Sequence, residues 1–313
     1  MAGRVTAMHQ PGFDPGLTQK YTGSVRRVIE HDGGFNVRRS GGTWRDFHAY
    51  QRLINMGWVE FFAVIVAAYL VVNTLFAVVY YWLGPNELSG EDLSSPFMHF
   101  MSGFFFSAHT LTTVGYGSIA PKGFGANVVA VIESMFGVLG FAVATGLLFG
   151  RVSRPSAKIG FSDTMLVTPY QEGTSLQFRV ANRRLNNLME VQARVMLMTV
   201  EARDGEPVRR YRQLKLERDQ VLFLPLTWTI VHPIDTQSPL HGMTAEDLKR
   251  EQAEFLILLK AFDDTFSQTV FARYSYRHDE LQWGKRFAPA FTVDKSGDLV
   301  VELDRLGAVR EGG

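Results

Sequence analysis

Residues 113–117 read Thr-Val-Gly-Tyr-Gly, a run whose chemistry would come from the main chain and not from side chains. A dehydrated potassium ion needs oxygen ligands that replace its water, and a ladder of backbone carbonyls supplies them when several copies surround one axis; TVGYG is the run for which this use is known. The carbonyls of Thr113, Val114, Gly115 and Tyr116, with the Thr113 hydroxyl, are the expected ligands. Gly115 and Gly117 suit the backbone angles such a ladder demands. Val114 and Tyr116 would point away and pack the run from behind. One chain contributes a single strand of ligands, so the site requires an assembly, a fourfold ring by analogy with known filters.

Two long apolar runs flank these residues. Phe61 to Leu83 carries no charge and Ala126 to Phe149 carries one, Glu133, and about 20 apolar residues suffice for a helix to cross a bilayer. A first span over 58–84 and a second over 126–150 are predicted. Tyr80, Tyr81 and Trp82 close the first with the amphipathic aromatics of a membrane interface. Arg38, Arg39, Arg45 and Arg52 precede the first span, and Arg151, Arg154 and Lys158 follow the second, so both termini are expected in the cytoplasm. The connection between the spans carries Glu87, Glu91 and Asp92 against one base, Lys122, which agrees with an outer location and sets the filter near the outer face. Pro96 to Leu111 is apolar but short for a third span, and a third span would separate the termini. A re-entrant pore helix, with the filter occupying 95–118, fits better. It starts at Ser95 or Pro96, and its negative carboxyl end points at Thr113, where it favours a cation.

On the second span, Phe141, Thr145 and Phe149 are spaced by four and share one helix face, which either lines a pore or packs neighbouring helices. A ring of Phe149 at the cytoplasmic end would close the path by dewetting. Gly137, Gly140 and Gly146 allow close helix approach or a bend. Glu133, an ionisable group inside a span, is a functional-site candidate, and its depth places it behind the filter, bonding pore-helix or filter groups. His109 is expected behind the filter too, as a structural histidine. Before the first span, Thr43 to Met56 sets Phe47, Tyr50 and Ile54 on one face and Arg45, His48, Arg52 and Asn55 on the other, an amphipathic interfacial helix within 43–57. With Arg151, Arg154 and Lys158 it offers either a basic site for an anionic lipid headgroup or a solvated set of positive charges.

The chain has 313 residues, a formal charge of +1 and 46% hydrophobic residues, which gives no hint of nucleic-acid binding or bulk disorder. Without cysteine, disulfides and thiolate metal sites are excluded. The first residues have no apolar h-region, so a cleaved secretory signal is not expected. Residues 1–42 read as a cytoplasmic tail whose Gly, Arg and Asp content suggests mobility. After Pro155 the pattern shifts to period two, as in Leu176, Phe178 and Val180 alternating with Gln177 and Arg179, with turn signals at Asp204-Gly205 and Ser296-Gly297. Residues 153–313 are therefore predicted to form an all-β sandwich, with one short charged helix over Ala245 to Ala253. No phosphate loop, metal-ligand cluster or nucleophile arrangement occurs, and His232, His241 and His278 read as scattered structural histidines. The chain reads as a channel and not an enzyme, with potassium as permeant ion and no cofactor.

Beyond TVGYG, the stretches FRVANRRLNNLMEVQARV from Phe178, TIVHPIDTQSPL from Thr229 and ELQWGKRF from Glu280 resemble the inward-rectifier potassium channels of the prokaryotic type, from Trp44 to about Phe291. The resemblance implies a homotetramer in a bacterial inner membrane, an immunoglobulin-like cytoplasmic domain extending the pore, and gating by membrane phosphoinositides near the inner membrane surface. Arg151 and Arg154 match basic lipid-contact positions, while Ser156 and Ala157 replace the basic pair that follows the proline in animal members. Phe141 stands where strongly rectifying animal members have an acid, and Lys260 stands at a cytoplasmic-pore position usually acidic in them, whereas Glu190 matches the other acidic position. His109 replaces the acidic or amide residue common there. Strong polyamine block is not expected from this set. Two other readings stay open on sequence: a two-span potassium channel gated by a soluble ligand, and a non-conducting two-span sensor whose β domain binds a partner.

Overall fold

The computed structural model describes residues 16–21, 23, 26–38, 40–41, 49–153, 157–203 and 205–311. The chain divides into two compact units, residues 40–154 and the remainder.

The first unit is helical. Helix α1 (Ala49–Asn55) is followed by α2 (Trp58–Leu83), whose 26 residues reach about 39 Å at 1.5 Å per residue, enough for a hydrocarbon core of about 30 Å. Helix α1 falls within the 43–57 segment expected to be an amphipathic interfacial helix; 43–48 lie outside the described residues. Strand β1 (Leu88–Ser89) precedes helix α3 (Pro96–Leu111), which pairing of β1 with β2 (Ala120–Pro121) brackets. Helix α3 begins as its sequence requires: Ser95 Oγ accepts the Met98 N–H at 3.2 Å and Pro96 occupies the first turn, where its missing N–H costs nothing. Its 16 residues span about 24 Å, short of a membrane crossing. Helix α4 (Phe124–Val152) is held at its start by Glu87, whose carboxylate accepts the Ala126 N–H at 2.9 Å and whose carbonyl accepts those of Lys122 and Gly123 at 2.8 and 3.0 Å. Only 11% of the apolar window of α2 and of α4 is buried, unlike the core helix of a soluble protein. The unit is a two-span pore domain with a re-entrant helix.

The second unit is a β sandwich. Strands β3 (Ile159–Phe161), β4 (Met165–Tyr170), β5 (Gly173–Asn182), β6 (Leu188–Arg203), β7 (Glu206–Leu214), β8 (Gln220–Phe223) and β9 (Thr227–Ile234) are followed by helix α5 (Ala245–Arg250). The chain continues through β10 (Glu254–Asp263), β11 (Gln268–Arg277) and β12 (Leu281–Trp283) to the short β13 (Lys285–Phe287), β14 (Phe291–Val293), β15 (Leu299–Val301) and β16 (Val309–Glu311). One sheet runs β11-β10-β6-β7 with β8 on β6; the other runs β12-β4-β5-β3 with β9 on β5. Period-two alternation turns Leu176, Phe178 and Val180 of one sheet and Val195, Leu197, Ile257 and Leu259 of the other into a shared core.

Residues 26–38, expected in a mobile tail, pack on this sandwich. Ile29 is buried, the Glu254 carboxylate accepts the Val28 N–H at 2.9 Å, and Arg27 pairs with Glu280 at 2.6 Å and donates to the Ser275 carbonyl at 2.9 Å. The apolar pair Val28-Ile29 inside a polar run is the local signal for this docking.

Candidate functional site

Helix α3 delivers the 113–117 run. Its last carbonyls are satisfied by the run's own amides: Thr113 N–H donates to Thr110 O at 3.0 Å, and Val114 and Gly115 donate to His109 O at 2.9 and 3.1 Å. With these amides turned back to the helix, the carbonyls of the run are free to face elsewhere. Positive φ falls at alternate residues, Thr113 (61°), Gly115 (58°) and Gly117 (81°). Alternation of left- and right-handed backbone turns successive carbonyls to one side, where an extended strand would turn them to opposite sides. Gly115 and Gly117 are needed for this φ and not for space, since a Cβ on either meets nothing within 4 Å. Thr113 holds its positive φ without that freedom, a strained backbone of the kind found at functional sites.

Behind the run, three helices are joined by buried polar groups. Tyr80 Oη of α2 donates to Glu133 Oε2 of α4 at 2.7 Å, and Ser107 Oγ of α3 contacts both Glu133 Oε1 and, at 2.9 Å, Asn73 Oδ1 of α2. Glu133, Asn73 and Ser107 are fully buried. Glu133 therefore bonds the pore helix; Tyr80, expected as an interface aromatic, is instead buried with its hydroxyl on Glu133, and Asn73 and Ser107 were not singled out by sequence. A polar residue at each of positions 73, 107 and 133 within apolar runs was the available signal. Gly137 lets α4 approach the end of α3, because a Cβ there would overlap the Leu111 carbonyl. The His109 ring stands edge-on to Tyr116 with centroids 4.8 Å apart.

On α4, Phe141, Thr145, Gly146 and Phe149 are exposed in the single chain, Phe141 at 77% and Phe149 at 71%. Arg151 is engaged within its own unit: its guanidinium donates to the carbonyls of Leu53 (2.5 Å), Ile54 (3.0 Å) and Met56 (2.7 Å), and lies 4.7 and 4.5 Å from the ring centres of Trp58 and Phe61. It caps the carboxyl end of α1, as a cation at a helix C-terminus does. Arg52 and Lys158 are exposed, in different units, while Arg45 and Arg154 lie outside the described residues. In the β unit, Glu190 and Lys260 are exposed on the same face of paired strands β6 and β10, Glu190 with φ of 50° at the register shift between Lys260 and Phe262. His232 is buried, with Nδ1 2.6 Å from the Lys215 carbonyl and Nε2 2.8 Å from Ser238 Oγ.

A two-span helical domain with a re-entrant helix, joined to a β sandwich, defines an ion-channel class of membrane protein. The family model for an ion channel matches residues 61–154, and that for the inward rectifier potassium channel C-terminal domain matches residues 159–311. The chain is 34% identical to the inward rectifier potassium channel Kirbac3.1 of Paramagnetospirillum magnetotacticum, over 91% of this chain and 96% of that protein. It is 27% identical to the human ATP-sensitive inward rectifier potassium channel 15, over 91% of this chain and 82% of that one. Identity to the G protein-activated inward rectifier potassium channel 1 of Gallus gallus is 26%, over 92% and 63% respectively. The chain belongs to the inward rectifier potassium channel family, a family of channels and not of enzymes.

Proposed function

We propose that four copies of the chain surround one axis and conduct potassium passively down its gradient. The carbonyls of Thr113, Val114, Gly115 and Tyr116 and the Thr113 hydroxyl bind the dehydrated ion, and Gly117 completes the run. The observation that carries this reading is the alternation of positive φ at residues 113, 115 and 117, together with amides turned back onto the pore helix. Exposure of Val114 at 52% and Tyr116 at 75% supports an assembly, because a single chain leaves the back of the filter uncovered. Glu133, with Tyr80 and Ser107, fixes the pore helix against both spans, and His109 buttresses Tyr116. The chain lies in a bacterial inner membrane with both termini cytoplasmic and the filter near the outer face, a reading supported by the basic residues flanking the spans.

The face carrying Phe141, Thr145, Gly146 and Phe149 lines the inner path, and Phe149 closes it by dewetting. Glu190 and Lys260 border the cytoplasmic part of the path. An anionic phosphoinositide modulates opening through basic residues, the exposed Arg52 and Lys158 together with Arg45 and Arg154, which lie outside the described residues. Arg151 contributes by holding α1 to α4, since its guanidinium already has three carbonyl partners.

Potassium flux from proteoliposomes tests the reading. Uptake should be blocked by barium, exceed sodium uptake, and respond to phosphoinositide content of the vesicles. Absence of flux from a folded tetramer across lipid compositions would overturn it in favour of a non-conducting sensor. Phe149→Ala should raise the open fraction several-fold, and an unchanged closed state would remove the gate assignment.

A further inference from the structure

Between the docked segment 26–38 and the sandwich lies a cavity of about 460 Å³ bordered by Arg26, Arg209, Arg277, His278, Gln252 and Glu254. A second, of about 300 Å³, adjoins it and shares Arg26 and Arg277 while adding Arg27, Glu30 and His31; Arg27 is already paired with Glu280. Three arginines thus line the larger cavity with one carboxylate, and both Glu254 oxygens accept the Val28 N–H, at 2.9 and 3.1 Å. Arg209 is 7% exposed, and its guanidinium donates to the Gly23 carbonyl at 3.3 Å and lies 5.7 Å from the Tyr21 ring centre, with no carboxylate paired to it among the described residues. Arg26 is exposed, and its side chain has no bonded partner among the described residues. Arg277 donates to the Arg26 carbonyl at 3.0 Å and approaches the exposed Asp279 at 3.6 Å.

An arginine stays charged in any protein environment, and a nearly buried charge without a counter-ion is costly. We propose that this cavity is a binding site for a small anion of clustered phosphates, a soluble polyphosphate that bridges Arg26 of the docked segment to Arg209 and Arg277 of the sheet. Guanidinium forks match phosphate oxygens, and three arginines around one cavity fit several phosphate groups better than a single monovalent anion. Every lining residue belongs to the β unit. Occupancy would hold residues 26–31 on the sheet, because a ligand that binds only the docked arrangement stabilises it.

Isothermal titration of the purified full chain with sodium tripolyphosphate tests the assignment independently of ion conduction. One saturable site per chain is expected, weakened by added salt. Arg26→Gln, an exposed change that leaves the fold intact, should weaken binding about tenfold, whereas Arg286→Gln, which removes an exposed charge elsewhere on the sandwich, should leave it within about twofold. Amide exchange at Val28 and Ile29 should slow on binding. No saturable binding at millimolar tripolyphosphate, or equal losses in the two variants, would overturn the site and leave a water-filled cavity. Binding of inositol trisphosphate with tripolyphosphate silent would overturn the assignment to a free polyphosphate in favour of a lipid headgroup.

Discussion

In the β unit, twenty-four buried residues form one core that the chain closes by itself, whereas in the pore unit the corresponding cluster of described residues is Tyr80, Leu88, Phe106 and Ala126. The apolar side chains of α2 and α4 face outward instead, toward whatever surrounds a single chain in a membrane. What joins the pore helices is that small cluster together with the polar one around Glu133, and what would do the chemistry is backbone. The sandwich is specified by side-chain burial in water, where each buried apolar group contributes. The pore unit is specified by close approach, at Gly137 against Leu111, and by a few hydrogen bonds. Two kinds of substitution should therefore separate the units.

The largest effect is expected at the filter. Gly115→Ala forces a Cβ onto a residue with φ of 58°, a cost of about 1–2 kcal/mol at the proposed ion ligands. Selective potassium flux should fall more than tenfold, while thermal melting of the β unit stays where it was. Undiminished selective flux would sink the filter assignment. The complementary change is Phe255→Ala, at a side chain with no exposure, which should destabilise the sandwich by about 3–5 kcal/mol. If denaturant unfolding followed by fluorescence showed less than about 1 kcal/mol of loss, the sandwich core would not be the self-sufficient unit described.

A smaller effect is expected where the pore helices meet. Glu133→Leu removes the acceptors of Tyr80 and Ser107, each bond worth about 0.6–2 kcal/mol within a membrane. The melting temperature of the assembled channel should fall by several degrees and potassium-over-sodium discrimination several-fold. Glu133→Gln keeps an acceptor and adds a donor for the second hydroxyl, and should stay near the parent. Equal behaviour of the two variants would show that the cluster does not position the filter.

The same contrast governs what could be read from the sequence. The spans, the start of α3 at Ser95 and the glycines of the filter are local signals, set by run length, capping chemistry and backbone freedom within a few residues. The period-two strands of the sandwich were legible for the same reason. Partnerships across the chain were not. Arg151 reads as a free basic residue near a membrane surface, and only folding brings the carbonyls of Leu53, Ile54 and Met56 to it. Arg27 and Ile29 sit in a polar, glycine-containing stretch that composition assigns to a tail, yet both are buried, and the partners that hold this stretch, Glu254 and Glu280, lie more than two hundred residues away. Glu133 was visible as an anomaly in a span; its partners Tyr80 and Ser107 come from other helices, and nothing local ties the tyrosine or the serine to this carboxylate.

The smallest effect is a pH dependence confined to the β unit. Burial lowers the pKa of His232 from its ordinary value, partly offset by its hydrogen bond to the Lys215 carbonyl and by the charge of Asp235. A histidine with a lowered folded pKa contributes stability that is complete above its unfolded value of about 6.5 and is lost as the pH falls from there through the folded value, because the unfolded chain binds the proton more readily. The melting temperature of the β unit should therefore drop by a few degrees between about pH 7.5 and pH 5.5, with the pore unit's contribution unchanged. In His232→Gln, which keeps a hydrogen-bonding side chain toward Lys215 and Ser238, the drop should shrink. A variant with the parent's full pH slope would show that carboxylates elsewhere, and not this buried imidazole, set the acid sensitivity of the sandwich.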